Sequence, residues 1–291
     1  QVLLLNKRGH DSMTTKRAFE ILRQAGFKIH AHWMPNLYGS NPRKDVKDYK
    51  KLFSKNFRPD EIKIYPCSLL ESAELMSYYE KNLWKPYKEG ELMYVLKNVL
   101  LNTPRYNRVT RMVRDISSDD IVAGNKKTNF RQIVEEELKN EGKNPVEIRY
   151  REVRGKKVLI SELSLNIVKY QTSVSTEYFL EYVTKHDQIA AFLRLSLPKI
   201  KNFISELENT AIIREIHVYG QSLEIESSAL DNSKQTQHQG LGKNLILEAI
   251  DISKKGKFSR LAVISSIGTR EYYRNRGFSD GQFYQYVDLA A

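Results

Sequence analysis

Gln237-His238-Gln239-Gly240-Leu241-Gly242 decides how this chain is read. From Leu241 to Ser253 the apolar residues fall on one face of an amphipathic helix, so the motif stands where a helix opens. The first turn of a helix leaves backbone N–H groups without partners. Glycine lets a ligand come close to the backbone, and the helix dipole favours negative charge at that end. Lys243 adds a cation nearby. Gln237, Gly240, Leu241, Gly242 and Lys243 therefore make a candidate phosphate cradle. A short glycine pair alone would more simply be a turn, and it is the surrounding elements that give this one weight.

Upstream lie four strand-like runs in succession: Leu163 to Tyr170, Thr176 to Val183, Gln188 to Leu195 and Ala211 to Tyr219. Downstream come a strand from Arg260 to Ile264, a short helix around Thr269 to Asn275 and a strand from Gln282 to Leu289. This order, together with the motif, resembles the GNAT acetyltransferases over residues 161–291. The resemblance implies a mixed, mostly antiparallel sheet with helices, and acetyl-CoA as cosubstrate. It also implies that Ala211 to Tyr219 splays from its neighbour and offers its backbone at Glu215, Ile216, His217 and Val218 to the pantetheine arm. Glu215 and His217 alternate in step and share a face, as an acid or base would require; for His217 a plain core or surface role is the simpler reading. Gly268 to Phe278 is similar to the GNAT segment whose tyrosine protonates the departing thiolate. One of Tyr272 and Tyr273 is expected to be buried for packing, with Tyr273 the preferred cofactor tyrosine and Tyr272 the alternative.

The first half follows a different rhythm. Val2 to Leu5, Phe27 to His32 and Glu61 to Tyr65 read as short buried strands. Helices are expected over Ser12 to Gln24, Arg43 to Lys55, Ala73 to Trp84 and Glu91 to Leu101. Strands separated by helices indicate βαβ units and a parallel sheet, too few here to close an eight-stranded barrel. The run Arg105 to Asp115 carries arginines at 105, 108, 111 and 114, and its β-branched residues favour a strand. After a helix from Asn129 to Asn140 comes a second basic run, Arg149 to Lys157. The expected organisation is residues 1–115 as part of a barrel, 116–160 as a basic linker and 161–291 as the acetyltransferase domain.

Charge separates the halves. Residues 158–291 hold 15 basic and 15 acidic residues, so the whole net charge of +12 lies in residues 1–157. A one-sided positive field is the footprint of a polyanion partner such as nucleic acid. No stretch reaches the roughly 18–20 apolar residues that span a bilayer, and no leader pattern is visible. With one cysteine, Cys67, no internal disulfide can form, which fits a reducing compartment and a cytoplasmic location. Cys67 reads as a small buried apolar residue. His30 and His32 share a strand face, but local sequence supplies no third ligand, so no metal site is expected.

Several further stretches carry a more specific resemblance: Arg8-Gly9-His10, His30 to Leu37, Phe57-Arg58-Pro59-Asp60, Lys63-Ile64-Tyr65-Pro66, Arg114-Asp115-Ile116, Arg151-Glu152-Val153, Arg214 to Gly220, Gln237 to Gly242, and Ala262 to Arg274. Together they resemble the Elongator complex protein 3 family over essentially the whole chain. The resemblance implies a tRNA wobble-uridine acetyltransferase: a radical-SAM (β/α) barrel followed by a GNAT fold, with acetyl-CoA hydrolysis coupled to tRNA binding. It carries cofactor contacts onto Glu215, Ile216, His217, Val218, Leu241, Gly242, Lys243 and Tyr273. It also implies S-adenosylmethionine and a [4Fe-4S] cluster in the full-length protein. The family's three cluster cysteines have no counterpart here, so the chain is expected to begin midway through the barrel. Val146 to Arg151 likewise lacks the linker cysteines that bind zinc in many relatives, which argues against zinc. The implied partners are the tRNA anticodon stem–loop and either other Elongator subunits or a second copy of the chain. Candidate phosphate contacts are Arg105, Arg108, Arg111, Arg114, Arg149, Arg151, Arg154, Lys156 and Lys157, with Tyr106 and Tyr150 as stacking platforms. A protein lysine acetyltransferase and a non-catalytic tRNA-binding module are the alternatives.

Overall fold

Parallel strands need long crossovers, and the first half supplies them. A computed structural model describes residues 1–113, 116–154, 158–219 and 232–289, with only the backbone of 232–239. The chain runs α1 (Val2–Leu5), α2 (Ser12–Gln24), β1 (His30–Trp33), α3 (Pro42–Lys51), β2 (Glu61–Ile64), β3 (Leu69–Leu70), α4 (Leu75–Glu80), α5 (Glu89–Leu101), β4 (Arg108–Arg111), β5 (Ile121–Ala123), α6 (Phe130–Asn140) and α7 (Ile148–Arg151). Strands β1, β2 and β4 pair in parallel in that order. One face of this sheet is apolar: Trp33, Ile62, Ile64 and Val109 pack against Val95, Leu96 and Val99 of α5 and Phe130 and Val134 of α6. Local chemistry fixes the helix ends. Asn41 accepts from the Lys44 amide at 3.0 Å with Pro42 in the first helical position, and Lys50 and Lys51 lie in the last turn.

Two expectations change here. Val2–Leu5 is a helical turn with no buried residue, not a buried strand. Three leucines are good helix formers, and the turn closes its own hydrogen bond from the Leu5 amide to Gln1. The arginine run shortens to β4, Arg108–Arg111. Asn107 closes a turn onto the Pro104 carbonyl before it, leaving Arg105 outside the strand.

After residue 151 the chain builds β6 (Ser164–Gln171), β7 (Ser175–Val183), β8 (Ile189–Pro198), β9 (Thr210–Val218), α8 (Asn232–Lys255), β10 (Arg260–Val263), α9 (Arg270–Arg274), β11 (Ser279–Asp280) and β12 (Gln285–Asp288). They form one seven-stranded sheet in the order β11-β12-β10-β9-β8-β7-β6. Only β9 and β10 pair in parallel. Leu193, Leu195, Ala211, Ile213, Leu261 and Val263 cover one face of it, against Leu241, Leu245, Ile246 and Ala249 of α8. This is the expected mixed α/β architecture, a parallel βα portion followed by a GNAT-type sheet.

The chain divides into two compact units, residues 1–19 with 29–150 and residues 20–28 with 151–291. Helix α2 therefore begins in one unit and ends in the other. Helix α8 starts at Asn232, upstream of the expected Leu241, so Gly240 and Gly242 stand inside the helix rather than at its opening.

Candidate active site

Strand β10 pairs with β9 only from Thr210 to Ile213, whereas β9 runs on beside β8 to Val218. Beyond Ile213 the two parallel strands no longer share a ladder. Ile216 and Val218 lie on the face that α8 covers. The Ile216 side chain approaches Gly242, and a Cβ on Gly242 would run into the Tyr272 hydroxyl. Glycine at 242 thus permits a close approach that alanine would block. Gly240 lies in the same helix, with Lys243 exposed beside it. The side chain of Gln237 lies outside the described residues.

The two tyrosines part company. Tyr273 is 4% exposed and packs edge-on against Phe278 in the core; burial pushes its phenol well up. Tyr272 is half-buried and is the one that meets Gly242. The preferred cofactor tyrosine of the sequence is thus the packing tyrosine, and the alternative faces Gly242.

Glu215 and His217 point to the other face of the sheet, opposite Arg194 and Phe192 of β8. Glu215 accepts from Arg194 Nε at 2.7 Å and from Lys28 Nζ at 3.1 Å. Burial opposes its ionisation, but Arg194 and Lys28 outweigh it and hold the carboxyl below the usual glutamate range. A carboxylate held ionised by two cations is a poor base. The His217 ring is exposed, stacks on Phe192 at 5.6 Å and meets Tyr219 at 4.3 Å.

This second face is polar and buried. Glu177 accepts from Arg214 at 2.8–2.9 Å and from Ser175 and Ser196 at 2.6 Å, with Arg23 at 3.5 Å. Burial works against its charge, but Arg214 and Arg23 prevail and keep its carboxyl below the usual range. Residues 23–28 continue along this face one contact at a time. The Gln24 carbonyl accepts from Asn202 at 2.8 Å, the Ala25 carbonyl from the Tyr284 hydroxyl at 2.8 Å and the Phe27 carbonyl from Arg214 at 3.1 Å. Gly26 turns with φ +80°, and a Cβ there would stand 2.9 Å from Ile212. Sequence reading missed Arg194 and Lys28. Arg194 had a signal, a cation inside the apolar run Ala191 to Leu197. Lys28, 187 residues from Glu215, had none.

The basic candidates fall into three groups. Arg111 and Arg154 are exposed, and Arg105, Arg108 and Arg149 are half-buried. Arg149 donates to the Thr110 carbonyl, and buried Glu147 anchors its amide at 3.0 Å and the Val109 amide at 2.8 Å. Arg151 is 5% exposed and bound to Glu181 at 2.6 Å, so it is an internal ion pair rather than a phosphate contact. Arg114, Lys156 and Lys157 lie outside the described residues. Tyr106 is 3% exposed, too deep to stack on a base, while Tyr150 donates to Asn144 at 3.0 Å.

On the face of the parallel sheet away from α5, His30 lies 3.0 Å from the Thr110 hydroxyl and 3.5 Å from Glu61. The His30 and His32 rings meet edge-on at 5.7 Å. Burial, then Lys63 and Arg8, push the His32 imidazolium down. Among the described residues no cluster of three or more histidine, cysteine, aspartate or glutamate side chains is placed to hold a metal ion. Cys67 is buried beside Leu69 and Trp84. Among the described residues no helix is long and apolar enough to cross a membrane.

The radical-SAM C-terminal domain family matches residues 59–140. The archaeal Elp3 of Methanocaldococcus infernus lacking residues 1–46 superposes with a TM-score of 0.88 and 34% identity, over 99% of this chain and 69% of that one. The chain belongs to the Elongator complex protein 3 family. The tRNA uridine(34) acetyltransferase of Methanocaldococcus jannaschii is 36% identical over 289 residues, 96% of this chain and 53% of that protein. Elongator complex protein 3 of Homo sapiens is 31% identical over 284 residues, 93% of this chain and 50% of that protein. The chain spans about half the length of these curated relatives of the Elongator complex protein 3 family.

Proposed function

We propose that this chain is the acetyl-CoA-binding and tRNA-binding portion of a tRNA uridine(34) acetyltransferase, which starts the C5 carboxymethyl-type modification of wobble uridine. The observation that carries the reading is the separation of β9 from β10 after Ile213, next to Gly242 and Tyr272. A pantetheine arm fits such a gap as an added strand, taking backbone hydrogen bonds from Ile216 to Val218. The pyrophosphate lies alongside Gly240-Leu241-Gly242-Lys243, where the glycines allow close approach and Lys243 supplies the cation; the amides of this segment are inside α8 and are not the donors. Water attacks the thioester carbonyl, the carbon–sulfur bond breaks, and the thiolate takes the phenol proton of Tyr272. Tyr273 supports that segment from the core. Glu215 holds β9 in place through Lys28 and Arg194 rather than moving a proton.

The excess positive charge of residues 1–157 supports tRNA as the polyanion, with Arg105, Arg108, Arg111, Arg149 and Arg154 as phosphate contacts. The anticodon stem–loop is the substrate region, the cytoplasm the place of action, and other Elongator subunits or a second copy the protein partners. S-adenosylmethionine with a [4Fe-4S] cluster supplies radical chemistry in the whole enzyme. Cys67, the one cysteine of the sequence, is buried, so the residues of this chain do not fit a three-cysteine cluster.

Acetyl-CoA hydrolysis measured alone, with tRNA and with histone-type peptides tests the proposal. Stimulation by tRNA, lost as salt rises, is expected. Peptide acetylation without a tRNA effect would point instead to a protein lysine acetyltransferase, and tRNA binding without hydrolysis to a non-catalytic module.

A further inference from the structure

Tyr272 is gripped by Arg276, a residue of the same segment. The Arg276 guanidinium carbon lies 3.4 Å from the centroid of the Tyr272 ring. Its Nη1 donates to the Tyr272 carbonyl at 2.7 Å. The same side chain thus holds residue 272 by its backbone and by its ring face. Arg276 Nε is buried with no hydrogen-bond partner among the described residues. The turn that follows explains the placement. Gly277 adopts φ +85°, and the Phe278 amide closes onto the Tyr273 carbonyl at 3.1 Å. Residue 276 therefore lies one turn beyond residue 272, on its face.

Among the described residues, four neighbours of the Tyr272 side chain are seen. From its own segment come Arg276 and the edge-on Tyr273 ring, at 5.2 Å. From α8 comes the backbone at Gly242, and from β9 the apolar Ile216. Burial pushes the Tyr272 phenol up, and Arg276 draws it back down. A cation on the face of an aromatic ring is attracted by the ring quadrupole, and more strongly by a phenolate.

We propose that Arg276 is a positioning residue for thioester cleavage: it holds the Tyr272 phenol against Gly242 and, as a cation on the ring, stabilises the phenolate left when the proton passes to the departing thiolate. The assignment rests on Tyr272 being the proton donor. Atoms balance without a further reactant. The water oxygen bonds to the acetyl carbon and its protons pass to solvent as acetate forms, the carbon–sulfur bond breaks, the sulfur keeps the electron pair and takes the phenol proton, and solvent restores the phenol.

The test uses Arg276→Gln, which keeps length without charge, and Arg276→Lys, which keeps the cation. The first readout is titration of Tyr272 by NMR with ring-labelled tyrosine, assigned through Tyr272→Phe. The second is thiol release from acetyl-CoA with tRNA, followed across pH in the intact enzyme. A phenol acid loses activity as pH rises through its ionisation. In Arg276→Gln both the titration and that alkaline limb are expected to move up by roughly half to one pH unit. The neutral-pH rate is expected to fall about three- to tenfold. Arg276→Lys should restore most of both, with the acetyl-CoA Kd little changed in either variant. A Tyr272 titration that does not move in Arg276→Gln overturns the role of Arg276. A titration that moves while the hydrolysis limb stays fixed overturns instead the reading of Tyr272 as the acid.

Discussion

Glu215 and Arg194 face each other across β9 and β8 with 2.7 Å between carboxylate and guanidinium, and the Arg194 side chain is 1% exposed. The pair fixes the strand that leads into the open gap after Ile213, and its charge state can be followed by pH.

Glu215→Gln keeps the shape and removes the charge to which Arg194 and Lys28 donate, so a loss of about 3 kcal/mol is expected. The folded carboxyl sits below its usual range. Its contribution is therefore complete above the unfolded glutamate value of about 4.3 and is lost as pH falls through the lower folded value. Denaturation of both proteins should show a constant gap from neutral pH down to about 5.5, narrowing below about 4. A gap that widens on acidification would contradict the ionised assignment.

Gly242→Ala places a methyl group where the Tyr272 hydroxyl lies. The site rather than the fold should respond. Calorimetry is expected to show acetyl-CoA binding about tenfold weaker, which is about 1.4 kcal/mol, with Tm nearly unchanged.

Tyr272→Phe and Tyr273→Phe should differ in kind. The first removes the hydroxyl at Gly242 and is expected to slow tRNA-stimulated thiol release about 100-fold while the fold holds. The second keeps the buried ring and should leave that rate within a few-fold. Steady-state thiol release ranks them, and the reverse order would return the role to Tyr273.

Arg111→Ala and Arg151→Ala separate surface charge from internal charge. The exposed Arg111 is expected to lower tRNA affinity and to reduce the slope of log affinity against log salt by about 1. Arg151, bound to buried Glu181 at 2.6 Å, is expected to cost about 3–5 kcal/mol of stability instead. Filter binding over a salt series and chemical denaturation distinguish the two, and equal salt slopes would refute the distinction.

The strands β6 to β9 were legible because alternating and continuous apolar runs report a strand whatever lies beside it. Val2–Leu5 was not, since four apolar residues fit a strand or a helical turn until a neighbouring strand is found or missed. Arg151 read as surface charge because a run of Arg and Lys looks the same whether one member is paired inside or not. One of Tyr272 and Tyr273 is buried, as expected, but choosing between adjacent positions of a short helix requires knowing where α8 lies. The strap from Arg23 to Lys28 was invisible, because its partners at Glu177, Asn202, Arg214, Glu215 and Tyr284 lie more than 150 residues away.

That strap has a genealogical consequence. The unit built from residues 151–291 is completed by nine residues, Glu20–Lys28, that stand before strands β1, β2 and β4 in the sequence. A crossover in the intervening codons would hand the unit of residues 151–291 a foreign strap, with Glu177 and Arg214 buried beneath it. The two units can diverge, but they cannot be traded independently, and descent should keep them together as one inherited block.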